Sequence, residues 1–270
     1  MDPASGKDQP LCSVIIPCFN PGEYLREAVE SAQASRYPAV EIIIVDDGST
    51  EDDTRRLLRE YEAYPRIQVH YQENQGPSAA RNKAIRRSAG KYILPLDADD
   101  KIHPEYIAKA VAELERNEKV GLVSCGVEYF GTRTGRCRLP PYRFPGILLR
   151  NSFVSSCVFR RADWAAVGGY KQNLRHGGED WDFWISLIEL GREVIQLDAV
   201  LFYYRQHGPS RTGRSLEPDH LRETKRAIRE NHAPSFHRHR WALLKDRVRW
   251  FGVRHGWVPE KRNEGAGCAT

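Results

Sequence analysis

The chain has 270 residues, 40% hydrophobic and 29% charged, which suits one large globular domain or one domain with an appendage. No apolar run approaches the roughly 20 residues a membrane helix needs, and MDPASGKDQP is not a charged-then-apolar leader, so the expectation is a cytoplasmic protein. Six cysteines without any C-x-x-C pair exclude a disulfide framework or zinc site in favour of reduced, mostly buried thiols.

In chain order, SVIIP is a short apolar run with the signature of a buried strand. Asn20 follows as an expected N-cap with Pro21 at the first helical position, and Tyr24, Leu25, Ala28, Val29 and Ala32 fall on one helical face. EIIIV is a second strand, followed by DDGSTEDDT and a helix carrying Leu57, Leu58 and Tyr61. RIQVHY, SAARNKAIRRSAG, KYILPL, PEYIAKAVAELERN and VGLVSCGVEYF continue the alternation as strand, helix, strand, helix and strand. Up to about Phe130 this pattern predicts an α/β fold, a largely parallel sheet covered on both faces.

Beyond it the pattern is mixed. VEYFGTRTGRCRL reads as a hairpin, SSCVFRRADWAAVGGY as a strand leading into a short helix and a glycine turn, and EDWDFWISLIELG as an amphipathic helix ending at Gly191. EVIQLD and VLFYYRQH read as two further strands, and NEGAGCAT as a disordered end. The net charge of +5 is uneven: residues 205–270 hold 15 Lys+Arg against 7 Asp+Glu, and the remainder 26 against 29. A neutral-to-acidic body with a basic tail points that tail toward an anionic surface.

Ligands of open parallel sheets bind beyond the carboxyl ends of the strands. Those ends deliver Pro17, Phe19 and Asn20, then Asp46 and Asp47, then Glu73, Asn74 and Gln75, then Asp97, Asp99 and Asp100. Such a concentration of carboxylates is costly unless a cation or hydrogen-bond donors compensate it. Asp100 reads as turn chemistry before a helix starting near Pro104. Asp97 and Asp99 alternate on an extended segment and point to one side. They are either part of the same turn or an oxygen pair for Mg²⁺ or Mn²⁺, and the stretch alone leaves both readings open. Thr50 and Asp53 are spaced as a capping box, which leaves Asp46 and Asp47 to accept from a nucleobase N–H or ribose hydroxyls. In GGEDWDFW, Glu179 and Asp180 either favour a helix start or present a general base to a pocket lined by Trp181 and Trp184.

Together, SVIIPCFNPGEYLREAVES, EIIIVDDGSTEDDT, ENQGPSAARNKAI, GKYILPLDADDKIHPEYI, VGGYKQNLRHGGEDWDFWISLIELG and YYRQHGPSRT resemble glycosyltransferase family 2, in that family's order and over about residues 11–212. The resemblance implies inverting, nucleotide-sugar-dependent enzymes of GT-A fold: a Rossmann-like, mostly parallel sheet flanked by helices, with a smaller mixed acceptor-side region. The resemblance, with the composition of the flanks beyond it, divides the chain into a flexible N-terminus (1–10), a nucleotide-sugar-binding half (11–125), an acceptor-binding and catalytic-base half (126–212) and a basic helical extension (213–270). It implies that Pro17, Phe19 and Asp47 contact the base, usually uracil, and that Asn74 and Arg81 line the nucleotide pocket. Asp97 and Asp99 match the DxD pair that holds Mn²⁺ or Mg²⁺, with Asp97 nearer the ribose. Asp180 of the Glu179–Asp180 pair matches the catalytic base, and His207 a histidine that reaches the diphosphate or metal, with Arg205 and Ser210 beside it. The Q-x-x-R-W motif of processive, membrane-embedded members is absent. The implied partners are a nucleotide-sugar donor and a carbohydrate or lipid-linked acceptor.

Other classes fit less well. A haloacid-dehalogenase phosphatase needs Thr or Val where Lys101 stands, a nucleotidyltransferase needs a glycine-rich basic loop where PCFNPGEYL stands, and G-x-G-x-x-G of dinucleotide oxidoreductases is missing. A non-catalytic binding module remains open, since resemblance does not establish turnover. In WALLKDRVRWFGVRHGW, Trp241, Leu243, Leu244, Val248, Trp250, Phe251 and Trp257 interleave with Arg and Lys. That pattern suits either an interfacial helix on anionic membrane, peripheral at its inner face, or a helix packed on the domain; nucleic acid is not expected as a partner.

Overall fold

The computed structural model describes residues 9–208, 213, 215 and 217–254, with side chains 249–254 outside that description. Strands β1 (Cys12–Cys18), β2 (Val40–Asp46), β3 (Ile67–Tyr71) and β4 (Tyr92–Pro95) alternate with helices α1 (Tyr24–Gln33), α2 (Asp52–Tyr61) and α3 (Pro77–Arg87). These four strands are parallel, in the order β3-β2-β1-β4. The apolar runs of β1, β2 and β4 are near-continuous because both faces are covered, whereas β3 at the edge buries only Ile67. Along β1, Cys12, Val14, Ile16 and Cys18 face a core built with α1 and α2, whereas Ile15 joins Ile43, Val45 and Ile93 against α3. Gly90, the expected end of the third helix, lies just before β4, where a Cβ would stand 2.3 Å from Ser13 Oγ and 2.8 Å from Ser13 N, so nothing larger fits.

After β4 come β5 (Lys101–Ile102), α4 (Tyr106–Arg116), β6 (Val120–Gly131), β7 (Gly135–Cys137), β8 (Val158–Arg160), α5 (Arg161–Val167), α6 (Glu179–Glu189) and β9 (Glu193–Gln206). They extend the sheet to β3-β2-β1-β4-β8-β6-β9-β5, with β7 paired to β6 as the expected hairpin. Strand β8 is antiparallel to both neighbours, so the parallel half and the mixed half form one sheet, and β6 runs unbroken through residues 125–126.

Four local expectations are corrected. EVIQLD and VLFYYRQH are one strand: a register shift around Gly126 absorbs Asp198 and Ala199 as a bulge. A Cβ at Gly126 would lie 2.9 Å from Ala199 O, so glycine lets the bulge approach. Asn20 does not cap α1, which starts behind Glu23; it adopts φ 51° and holds the turn leading into α2 instead. Its Oδ1 accepts from Thr50 N at 2.8 Å and Glu51 N at 3.1 Å, and its Nδ2 donates to Thr50 Oγ1 at 3.0 Å. Consequently the Thr50–Asp53 capping box does not form, and Glu51 stands at the N-cap of α2. Asp100 does not serve α4, whose N-cap is Glu105; its carboxylate Oδ1 accepts from Arg205 N at 2.8 Å and ties β9 to the turn after β4.

The basic extension folds as α7 (Pro218–Asn231), α8 (Ala233–Arg238) and α9 (Arg240–Arg254). Ile228 and Leu243 enter the second core, and Arg150 Nη2 pairs with Asp246 Oδ2 at 2.6 Å, so α7 and one face of α9 pack on the domain. No helix among the described residues is long and apolar enough to cross a membrane. Cys12, Cys18, Cys125 and Cys157 are buried free thiols and Cys137 is half-buried. Residues 1–8, Ser210, Trp257, Cys268 and NEGAGCAT, with the side chains of Trp250 and Phe251, lie outside the described residues.

Candidate active site

The carboxyl ends of β1 to β4 meet along one edge. Phe19 is 52% exposed beyond β1, next to half-buried Pro17, a flat apolar surface at the rim. Asp46 folds back on its own turn and accepts from Ser49 N at 3.1 Å. Asp47 is buried and organises the loop after β3. Its Oδ1 accepts from Gln72 Nε2 and Gln75 N, both at 2.8 Å, and its Oδ2 from Gly76 N at 2.8 Å. A carboxylate offers about four acceptor positions, so three donors leave one for a ligand N–H. Asn74 is exposed on that same loop, its backbone N close enough to Gly48 that a Cβ there would sit 3.0 Å away.

After β4 the three aspartates separate. Asp97 Oδ1 accepts from Arg81 Nη2 at 2.6 Å and its Oδ2 from Ser155 Oγ at 2.8 Å. Asp99 Oδ2 lies 2.9 Å from His207 Nε2, and burial together with the Asp97 charge pushes its carboxyl above the ordinary range. Asp100 is 1% exposed and burial pushes its carboxyl well above the ordinary range. Arg205, expected near the diphosphate, is instead packed beneath this turn. Its guanidinium lies over Tyr24 at 4.4 Å and Phe130 at 4.3 Å, pairs with Glu27 at 2.8 Å, and its Nε donates to Asp99 O at 2.7 Å.

Among the described residues no three His, Cys, Asp or Glu side chains converge as a closed metal cage. Magnesium and manganese do not need one, because they take one or two carboxylates and complete their shell with water and substrate phosphate. Asp99, about one third exposed with His207 2.9 Å away, fits that donor chemistry, whereas both oxygens of Asp97 are held by Arg81 and Ser155.

The second acidic pair opens α6 behind Gly178, whose φ of 83° and tight approach to Thr224 Cγ2, 2.6 Å from a Cβ placed there, demand glycine. Glu179 is 4% exposed and its Oε1 accepts from Arg81 Nη1 at 3.0 Å. Burial alone would lower the guanidinium pKa, but Asp97 and Glu179 outweigh it and hold Arg81 firmly charged. Arg81 therefore joins the aspartates after β4 to the start of α6. Asp180 keeps solvent access; its Oδ2 accepts from Asn151 Nδ2 at 3.1 Å, and burial followed by the Glu179 charge pushes its pKa up to about 6. Trp181 and Trp184 do not line a pocket: both are buried, donating to Ile147 O at 2.6 Å and Val154 O at 3.2 Å, because the apolar face of α6 closes the second core.

The far side of α6 is fixed by the extension. His232 is 1% exposed, with Nε2 3.0 Å from Asp182 Oδ1 and Nδ1 2.8 Å from Glu189 Oε2. Burial disfavours its charge, but the two carboxylates outweigh that and hold its pKa above the ordinary 6.5. Ser155, Asn151 and His232 carried no signal in the sequence. Each meets its partner 58, 29 or 50 positions away in the sequence.

These features define a class: an α/β glycosyltransferase of GT-A fold. The solved structure of Staphylococcus aureus TarS 1–349 in complex with UDP-GlcNAc superposes with a TM-score of 0.65 at 22% identity, over 82% of this chain and 66% of that one. The sequence model of glycosyl transferase family 2 matches residues 13–162, and the chain belongs to that family. Among its relatives, the Bacillus subtilis glycosyltransferase TuaG, provisionally named for teichuronic acid biosynthesis, is 32% identical over 73% of this chain and 79% of its own length. The chondroitin synthase of Escherichia coli is 29% identical over 80% of this chain, which spans only 32% of that enzyme.

Proposed function

We propose that the chain moves a sugar from a nucleotide-diphosphate donor, in the first instance a UDP-sugar, to an acceptor hydroxyl with inversion. The pathway would be assembly of a cell-surface polysaccharide, glycolipid or glycoconjugate, on a carbohydrate or lipid-linked acceptor, as the names of the relatives favour. The observation that carries the reading is Asp180, a half-buried carboxylate with its pKa raised to about 6, linked through Glu179, Arg81 and Asp97 to the edge that holds Asp99 and His207. In this reading Phe19 and Pro17 flank the base, Asp47 accepts its N–H, and Asn74 closes the rim. Asp99, with Asp97 and His207, would hold Mn²⁺ or Mg²⁺, which would supply positive charge against the departing diphosphate. Asp180 takes the acceptor proton as the acceptor oxygen bonds to the anomeric carbon; the bond to the diphosphate breaks and its electron pair leaves with the nucleotide. Glu179 positions rather than reacts, since its carboxylate is buried on Arg81. The chain works in the cytoplasm, peripheral at the inner face of the membrane.

Nucleotide release from a panel of UDP-, GDP- and dTDP-sugars, with and without Mn²⁺, over saccharide and lipid-linked acceptors, tests this. Release that requires both cation and acceptor, with one base preferred, is the expected result. Binding without release in every combination would make the chain a binding module instead.

A further inference from the structure

On α9, Leu243 and Asp246 face the domain, Leu243 buried in the second core and Asp246 paired with Arg150 at 2.6 Å. The opposite face carries Trp241, Leu244 and Val248, spaced i, i+3 and i+7, so they form one stripe. They are 67%, 52% and 66% exposed. Lys245 lies on one flank of that stripe and Arg240 and Arg247 on the other, all exposed, while Asp246, the one acid among the described residues of α9, is turned away. A packed helix does not need this arrangement. An interfacial helix does: apolar side chains enter the acyl boundary, and basic side chains on both flanks meet anionic headgroups.

We propose that α9 seats the protein on an anionic phospholipid surface through Trp241, Leu244 and Val248. This deepens the peripheral placement given above by naming the face that makes it. The inner face of the helix packs on the segment that serves the site: Asp246 holds Arg150, whose neighbour Asn151 donates to Asp180. A bilayer beneath α9 therefore lies beside the segment that orients the base, which suits an acceptor hydroxyl carried on a lipid.

Flotation of the full chain with phosphatidylcholine vesicles, with and without phosphatidylglycerol, tests the assignment. The chain should float only with the anionic vesicles and detach in high salt, because screening shortens to a few ångströms near 1 M. The double variant Trp241→Ser/Leu244→Ser should lose about tenfold in bound fraction, as should Lys245→Glu/Arg247→Glu, with melting temperatures unchanged because all four side chains are exposed. Equal flotation of wild type and both variants overturns the proposal, as does no flotation of the wild type. A concentration-dependent dimer abolished by the first variant, without lipid binding, assigns the face to a second copy and overturns it too. Thermal stabilisation by UDP without vesicles reads the donor site alone, so a chain that binds UDP but not vesicles contradicts only the membrane helix.

Discussion

Asp180→Asn should lower kcat by about 10²–10⁴-fold, the range a positioned general base contributes, while nucleotide binding persists. The expectation rests on two features of one side chain. Asp180 retains solvent access at the start of α6, and burial with the adjacent Glu179 charge lifts its pKa to about 6. A base near the working pH is a better proton acceptor than an ordinary aspartate and is still mostly ionised at pH 7. The sign follows: the ionised form is active, so kcat/KM should be flat above pH 7 and fall tenfold per unit below about 6. The folded-state pKa is raised, so the native state gains stability as pH falls through about 6, and holding Asp180 charged at neutral pH costs stability. The asparagine variant should therefore melt at or above the wild-type temperature, which separates lost chemistry from lost folding. An acid limb near the ordinary aspartate pKa, or a variant that keeps its turnover, would remove Asp180 from the role of base.

The second large effect is structural. Arg81→Met should destabilise the protein by about 3–5 kcal/mol, because removing one member of a buried ion cluster strands the others. The Arg81 side chain is 4% exposed and Glu179 5%, with N–O separations of 2.6 Å to Asp97 and 3.0 Å to Glu179. Arg81→Lys should recover only part of the loss, since a single ammonium cannot fork to both acids. Adding Glu179→Gln to Arg81→Met should restore stability, because the stranded buried charge is then gone. Denaturant unfolding of the three variants measures this directly. A double variant no more stable than Arg81→Met would mean that the bridge does not hold α6 to the sheet.

What could be read from the sequence follows from how each part is held. The strands SVIIP and EIIIV were legible because burial on both faces leaves unbroken apolar runs, and the α/β alternation followed from them. The acids after the strands were legible because sheet geometry fixes where strand ends point. Their division of labour was not. Arg81 reads as a pocket residue until the fold places Asp97 and Glu179 on either side of its guanidinium. Asp100 reads as a cap until β9 returns to meet it. Asn20 carries the composition of an N-cap, but its side chain holds the turn before a helix about 30 positions further on. The sequence of β9 reads as two strands, EVIQLD and VLFYYRQH, and only the pairing with β6 shows one strand continuing through a bulge at Asp198 and Ala199.

The central claim is that the edge formed by Asp47, Asp97, Asp99 and His207 is a metal-assisted nucleotide-diphosphate site. Calorimetric titration of UDP into the wild type and Asp99→Asn, each with and without Mn²⁺, tests it most directly. The wild type should bind UDP at least about tenfold more tightly with Mn²⁺, a difference of about 1.4 kcal/mol, and Asp99→Asn should abolish that gain. UDP affinity unaffected by Mn²⁺ in the wild type, or a gain that survives in Asp99→Asn, would contradict the account.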